Sequence, residues 1–313
     1  MSGAGGISQI AIVGAGLIGT SWASVFARAG LAVRVFDADR ATREAAPERI
    51  AANLAMLEQA GLSDPAQSSG EVRVCDALEQ AVTGADYVQE SVLETPEVKR
   101  VVCARIDAVI GERTIVGSSS SGIPASAFTG DLTNRARFFI VHPVNPPHLI
   151  PLVEIVPAPW SDTAHIDTLR AFLTELGQEP IVVTREIEGF VLNRLQGALL
   201  NEAWALYADG YASLEDIDRT VRAGLGLRWS LMGPFQTIDL NAPGGIADYA
   251  GRFAPLYRQI AQSRRQMQPW PDDAIVRAAQ ELAQSSRLHN RNEQMRKRDE
   301  WLITLKQAKL DRR

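Results

Sequence analysis

The segment that most constrains this chain is Gly14-Ala15-Gly16-Leu17-Ile18-Gly19, entered from the β-branched run Ile10–Val13 and followed by the helical stretch Ser21–Ala29. Glycines at this spacing between a strand and a helix give a tight turn at Gly14, close approach of a pyrophosphate at Gly16, and close helix–strand packing at Gly19. The amides around Leu17 and Ile18 open the helix, so their N–H groups lack intrahelical partners and sit at its positive end, ready for phosphate. A second strand, Ala32–Phe36, runs into Asp37, 18 residues after Gly19. An acid there accepts from a ribose 2′-hydroxyl and repels a 2′-phosphate, so the pattern predicts a dinucleotide site that favours NAD over NADP. FAD shares the fingerprint and stays as an alternative.

Such a turn needs a sheet behind it. Strand-like runs recur at Ile7–Val13, Val33–Asp37, Val72–Cys75, Tyr87–Val92, Thr114–Gly117, Phe138–His142, Leu152–Val156 and Ile181–Thr184, with helical stretches such as Ala41–Gln59 and Pro96–Ile110 between them. This alternation predicts an α/β fold, a Rossmann-type doubly wound and mostly parallel sheet. After about Glu188 the strand-like runs stop. Amphipathic helical patterns take over at Phe190–Ala208, Leu214–Ala223, Gly245–Ala261, Asp272–Ser285 and Asn290–Lys309, with Ser213 placed to cap the second. The expected division is therefore a nucleotide-binding domain over 1–187 and an all-helical domain over 188–313. With 313 residues, 46% of them hydrophobic and 22% charged, the chain has enough apolar material for both cores. A net charge of −5 supplies no basic face for nucleic acid, and no run of 18 apolar residues is present to span a membrane. Cys75 and Cys103 make no disulfide framework. The first residues lack the basic region of a signal peptide, so the cytoplasm is the expected location.

The chemistry is concentrated at strand ends. Of four histidines (His142, His148, His165 and His289), His142 ends the run Phe138–Val141 and opens His142-Pro143-Val144-Asn145-Pro146-Pro147. Twelve residues on, Glu154 lies within Pro151-Leu152-Val153-Glu154-Ile155-Val156. A carboxylate in such a strand is costly to bury without a partner, and a nearby histidine is the natural one. That pairing fixes the imidazole tautomer and favours its charged form, as a general base requires. Ser118-Ser119-Ser120-Ser121-Gly122 follows the fifth strand, Glu94 follows the fourth, and Lys99 comes five residues later. Ligand crevices of open α/β sheets lie at these carboxyl ends. Asn193 stands in Gly189-Phe190-Val191-Leu192-Asn193-Arg194, where the helical part begins.

Together Gly14–Gly19, Ser118–Gly122, His142–Pro147, Pro151–Val156, Gly189–Leu195 and Gly224-Leu225-Gly226-Leu227-Arg228-Trp229 resemble the 3-hydroxyacyl-CoA dehydrogenase superfamily along essentially the whole chain. Within it the chain is most similar to the L-gulonate 3-dehydrogenase and lambda-crystallin branch, and the last segment, continuing through Gly233-Pro234 to Leu240-Asn241, separates that branch from the fatty-acyl enzymes. The resemblance implies that His142 takes the proton of a substrate 3-hydroxyl. It makes Glu154 the residue that orients His142, and Ser121 the one that hydrogen-bonds the reacting oxygen. Ser121 is chosen over its neighbours because it precedes Gly122 and lies 21 residues before His142. Asn193 is implied to position substrate or nicotinamide, Glu94 and Lys99 to line the cofactor, and Asp37 to be the ribose acid. A helical domain that forms a homodimer, with the active site in the cleft between domains, is implied as well. Arg228 is the candidate for gripping a substrate carboxylate, since a guanidinium forms two parallel hydrogen bonds to one. No metal site is assigned. L-gulonate leads as substrate. An L-3-hydroxyacyl-CoA or L-carnitine shares the same catalytic apparatus, and a non-catalytic, crystallin-like structural protein is the alternative from another class.

Overall fold

Short aliphatic runs that are apolar on both sides make strands needing cover on both faces, and interleaved helices supply it. The computed structural model describes residues 6–63, 68–264, 270–285 and 290–310. The first half runs β1 (Gln9–Val13), α1 (Leu17–Arg28), β2 (Ala32–Phe36), α2 (Arg40–Gln59), β3 (Val72–Val74), α3 (Leu78–Val82), β4 (Tyr87–Glu90), α4 (Pro96–Asp107), β5 (Ile115–Ser118), α5 (Ser126–Thr129), β6 (Phe138–Pro143), β7 (Leu152–Pro157), α6 (Ala164–Glu175) and β8 (Glu179–Val182). Then come α7 (Leu192–Ala208), α8 (Leu214–Arg219), α9 (Gly226–Trp229), α10 (Pro234–Leu240), α11 (Gly245–Ser263), α12 (Asp272–Ser285) and α13 (Arg291–Leu310).

The strands form one sheet in the order β3-β2-β1-β4-β5-β6-β7-β8. Every neighbouring pair is parallel except β6 with β7. All eight expected strands are present. The chain direction across the sheet reverses between β1 and β4, so the loops leaving their carboxyl ends diverge and open a crevice. Alternate residues serve the two faces: Ile10 and Ile12 pack with Trp22, Phe26 and Phe172, while Ala11 and Val13 pack with Val88, Cys103 and Ile106. Burying a large apolar side chain contributes about 1.5–3 kcal/mol, so the Trp22, Phe26 and Phe172 stack anchors α1 and α6 to one face. Helix starts follow capping chemistry. Asp39 accepts from the Thr42 amide at α2, Thr95 from that of Val98 at α4 with Pro96 in the first turn, and Ser213 from that of Asp216 at α8.

The chain packs as two units, Met1–Arg194 with Asn292–Arg313, and Leu195–Arg291. The span 188–313 is therefore not one packed body: the dividing point falls inside α7, and the C-terminal helix α13 returns to the first unit. Its Gln307 side chain donates to the Ala60 carbonyl (2.5 Å) and its Lys306 ammonium to the His148 carbonyl (3.4 Å).

In the second unit, Tyr207, Ala274 and Ala278 form a small core with Trp204, Leu214 and Ile217 around it. The helix expected over Leu214–Ala223 stops at Arg219 and continues as a wider π-type turn, Thr220–Leu225. Gly224 and Gly226 weaken helical winding at this point, and a side chain at Gly226 would press on the Val221 carbonyl (3.0 Å). This unit leaves large apolar side chains in solvent, among them Phe235 (74% exposed) and Leu227 (65%). Among the described residues no helix is long and apolar enough to cross a membrane.

Candidate active site

The carboxyl ends of consecutive strands carry the residues singled out above. Gly14–Gly19 follows β1, Asp37 follows β2, Glu94 follows β4, the serines leave β5, and His142 is the next-to-last residue of β6.

The three glycines divide by what surrounds them. Gly14 has φ +101°, and a side chain there would collide with the Ser91 carbonyl. A side chain at Gly19 would collide with the Gly14 carbonyl, whereas one at Gly16 would meet nothing within 4 Å. Gly14 and Gly19 are thus required by the protein's own packing. Gly16 keeps open a cradle that a side chain would fill, in front of a helix start capped by no side chain. Asp37 closes the other side of the cradle: one carboxylate oxygen accepts from the Ala15 amide (2.6 Å), the other from that of Asp39 (2.9 Å). These features fit a dinucleotide. Gly16, Leu17 and Ile18 would face its pyrophosphate and Asp37 its ribose.

The second assembly comes from the one antiparallel pairing. The β6–β7 register sets His142 directly opposite Glu154, and opposed residues share a face. His142 Nδ1 lies 2.8 Å from Glu154 Oε2. The other oxygen, Oε1, accepts from the Val191 and Leu192 amides (2.9 and 3.0 Å). Those amides point inward because the chain does not enter the helix at Phe190, as the periodicity predicts. Gly189 and Phe190 both take positive φ (73° and 50°), and α7 starts at Leu192. A buried Phe in that region is held against its own preference; its ring packs beside His142, with centroids 5.7 Å apart. Burial pushes the Glu154 carboxyl up, but the hydrogen bonds from His142, Leu192 and Val191 outweigh it and hold the group below the usual carboxylate range. An ionised Glu154 only accepts, so His142 Nδ1 carries the proton and Nε2 keeps a free lone pair.

The third assembly organises the serines. Ser118 Oγ donates to Glu90 Oε2 (2.5 Å), Ser119 Oγ accepts from Gln89 (2.8 Å), and Ser120 Oγ donates to Glu94 Oε1 (2.8 Å). Glu94 Oε1 also receives the Ser121 amide (2.7 Å), while Asn193 donates its side-chain amide to the Ser121 carbonyl (2.5 Å). Ser121 is therefore held by its backbone, and of the four its hydroxyl alone stays outside these bonds among the described residues. Lys99 is fully buried, its Nζ 3.1 Å from both oxygens of Glu90 and 3.5 Å from Glu94 Oε2. Its ammonium thus ends on two carboxylates, and any influence on a cofactor runs through Glu94 and the serine loop.

Sequence reasoning missed Glu90 and Phe190. Glu90 ends the strand Tyr-Val-Gln-Glu like any polar strand terminus; the one available sign was Lys99 nine residues on. Nothing local marks a positive φ at Phe190 except the preceding glycine. His165 packs its ring edge-on to Phe139 on α6, and His289 lies outside the described residues. Arg228 belongs to the second unit, exposed on α9.

Residues 9–187 match the family model for the 3-hydroxyacyl-CoA dehydrogenase NAD binding domain, and residues 189–289 the model for its C-terminal domain. The chain is similar to lambda-crystallin of Oryctolagus cuniculus, 38% identical over 82% of this chain and 81% of that protein. It is likewise similar to L-carnitine dehydrogenase of Streptomyces griseus, 38% identical over 80% of this chain and 74% of that protein. Among solved structures, a 5-formyl-3-hydroxy-2-methylpyridine 4-carboxylic acid 5-dehydrogenase, an NAD+ dependent dismutase, aligns with a TM-score of 0.80 at 28% identity. That alignment covers 96% of this chain and 98% of the other. The chain therefore belongs to the 3-hydroxyacyl-CoA dehydrogenase family of NAD-dependent oxidoreductases, and its NAD-binding domain, residues 9–187, contains the cradle behind Gly16.

Proposed function

We propose that the protein oxidises the 3-hydroxyl of a small L-3-hydroxy acid, with L-gulonate the leading substrate and 3-dehydro-L-gulonate the product. The observation that carries this reading is the His142–Glu154 pair, with Nδ1 committed at 2.8 Å and Nε2 left open. His142 Nε2 takes the hydroxyl proton as the carbonyl forms. Glu154, ionised and held by two backbone amides, stabilises the imidazolium that results. The Ser121 hydroxyl hydrogen-bonds the reacting oxygen, and Asn193 keeps the Ser121 backbone in place. NAD, when bound, supplies the hydride acceptor. Asp37 selects its unphosphorylated ribose. Arg228 is assigned to the substrate carboxylate, because a planar guanidinium matches that group in two hydrogen bonds.

The substrate choice rests on the branch resemblance of Pro146-Pro147 and Gly233-Pro234-Phe235. A homodimer is part of the proposal: Leu227, Phe235 and Leu240 of the second unit, 65%, 74% and 67% exposed, present apolar surface that a second copy would bury. The free, buried Cys75 and Cys103 suit the cytoplasm. The test is the initial rate of NAD reduction with L-gulonate, L-3-hydroxybutyrate, L-carnitine and 3-hydroxybutyryl-CoA, ranked by kcat/KM. L-gulonate or L-3-hydroxybutyrate, L-gulonate foremost, is expected to lead by about tenfold. A lead by the CoA ester or by L-carnitine would overturn the substrate while keeping the catalytic roles.

A further inference from the structure

One buried histidine stands outside this chemistry. His148 lies in the β6–β7 loop, six residues after His142, and is nearly enclosed. Its Nδ1 is 2.6 Å from the Ser21 hydroxyl, and its backbone amide donates to the same oxygen (3.2 Å). Ser21 is fully enclosed on α1, the helix whose first turn faces the pyrophosphate cradle. Since Ser21 Oγ already accepts the His148 amide, its own proton is free to go to Nδ1, which needs a neutral imidazole. Burial, with Lys306, Arg28 and Arg298 nearby, pulls His148 down to about 4 and keeps it neutral. Nε2 has no partner among the described residues, so the imidazole's hydrogen bonding is spent on Ser21. A buried polar ring with one orphaned nitrogen is a poor way to fill space, and an aliphatic side chain would fill it without that cost.

The tie joins elements that the sheet keeps apart. The nucleotide helix leaves β1 and the base leaves β6, with β4 and β5 between them. The loop transmits force because it is folded on itself. Leu149 and Ile150 donate to the Pro146 carbonyl (3.0 and 2.9 Å), and Val144 donates to that of Leu152 (3.3 Å). Lys306 of α13 holds the same residue from outside, at its carbonyl. Hydride transfer needs base, substrate and nicotinamide in one register, and a misplacement of 1 Å can cost about a hundredfold. We propose that His148 is a positioning residue: through Ser21 it locks the catalytic loop, and with it His142, to the nucleotide-binding helix. This rests on the dehydrogenase reading above.

The test uses the full-length protein with Ser21→Ala, His148→Leu, His148→Asn, and Ser21→Ala combined with His148→Leu. Either of the first two should lower kcat by about tenfold or more and raise the primary deuterium isotope effect. The double variant should lose no more than the worse single, since both break one bond. Asn, which can place a polar atom near the Nδ1 position, should recover most of the rate. Without NAD, amide exchange over residues 143–150 should speed up in Ser21→Ala, and NADH should bind more weakly by fluorescence titration. Unchanged kcat and isotope effect in Ser21→Ala would overturn the proposal, as would losses that multiply in the double variant. If His148→Leu fails to fold, Ser21→Ala, which removes a single oxygen, decides alone. A wild-type protein that reduces NAD with none of the substrates would overturn the dehydrogenase reading instead. The tie is then judged by exchange and NADH binding, and unchanged values in Ser21→Ala overturn it.

Discussion

Two fully buried carboxylates, Glu90 at the end of β4 and Glu154 in β7, solve the same desolvation problem with opposite results. Glu90 takes Lys99 on both oxygens, the Ser118 hydroxyl, and the Val92 amide (2.7 Å). Glu154 takes His142 and two amides at the start of α7. Both are satisfied, as buried charges must be. The difference lies in the partner. The Lys99 ammonium is enclosed between Glu90 and Glu94 and has nothing left to offer a reactant. His142 spends one nitrogen on Glu154 and keeps the other. A buried pair closed on all sides fixes loops, whereas one that leaves a lone pair open can carry a reaction.

The largest expected effect tests the open pair. His142→Ala should lower kcat by about 10²–10⁴-fold while NADH affinity stays near the wild-type value, checked by steady-state rates and fluorescence titration. If Lys99→Met, in protein that remains folded, cost as much turnover, the distinction between the two pairs would collapse. Next comes the closed pair. Lys99→Met strands Glu90 without its cation and should cost about 3–5 kcal/mol in urea unfolding, whereas Glu90→Gln with Lys99→Met should recover much of it. Equal losses in single and double variants would mean that Lys99 acts by filling space.

The smallest effects are in acid. Because the folded Glu154 carboxyl sits below its ordinary value of 4.5, its contribution is complete above that pH and is lost as pH falls through the lowered value. Glu154→Gln should flatten this limb of a stability profile. His148, at about 4 when folded against 6.5 when free, contributes fully above 6.5 and loses that contribution as pH falls toward 4. Ser21, Lys306, Arg28 and Arg298 are the groups that face it. His148→Asn should remove that higher window and leave the lower one. A single group gives a slope of at most about 1.4 kcal/mol per pH unit, so the two windows are separable by unfolding at closely spaced pH.

Much of this was legible in the chain. All eight strands follow from β-branched runs bounded by turn residues, because residue type and a short run length are local properties. The glycine turn was legible for the same reason: its three positions are demanded by backbone geometry within six residues. His142 and Glu154 could be paired because a carboxylate in Leu-Val-Glu-Ile-Val has to find a partner. The second oxygen of Glu154 could not be assigned, since its amides come from residues 37 and 38 positions away, aimed by a positive φ at Phe190. The resemblance set Lys99 beside the cofactor. A four-carbon stem can reach in several directions, and only packing shows it ending on Glu90. The helical pattern after residue 188 suggested one domain, but amphipathicity says that a face is covered and not by what, so the return of α13 to the first unit was not readable.

The chain by itself determined the strand–helix alternation and the glycine turn, because each rests on short-range spacing, and its motifs together were enough to mark the family. Tertiary structure alone decided how the polar side chains at the strand ends are arranged. The antiparallel β6–β7 register puts His142 opposite Glu154, the left-handed pair Gly189–Phe190 turns two amides onto the carboxylate, and Glu94 draws the Ser121 backbone into place. Each depends on partners far apart in sequence, and the low polarity of the interior gives them their strength: an unpaired charge there costs more than a strained backbone.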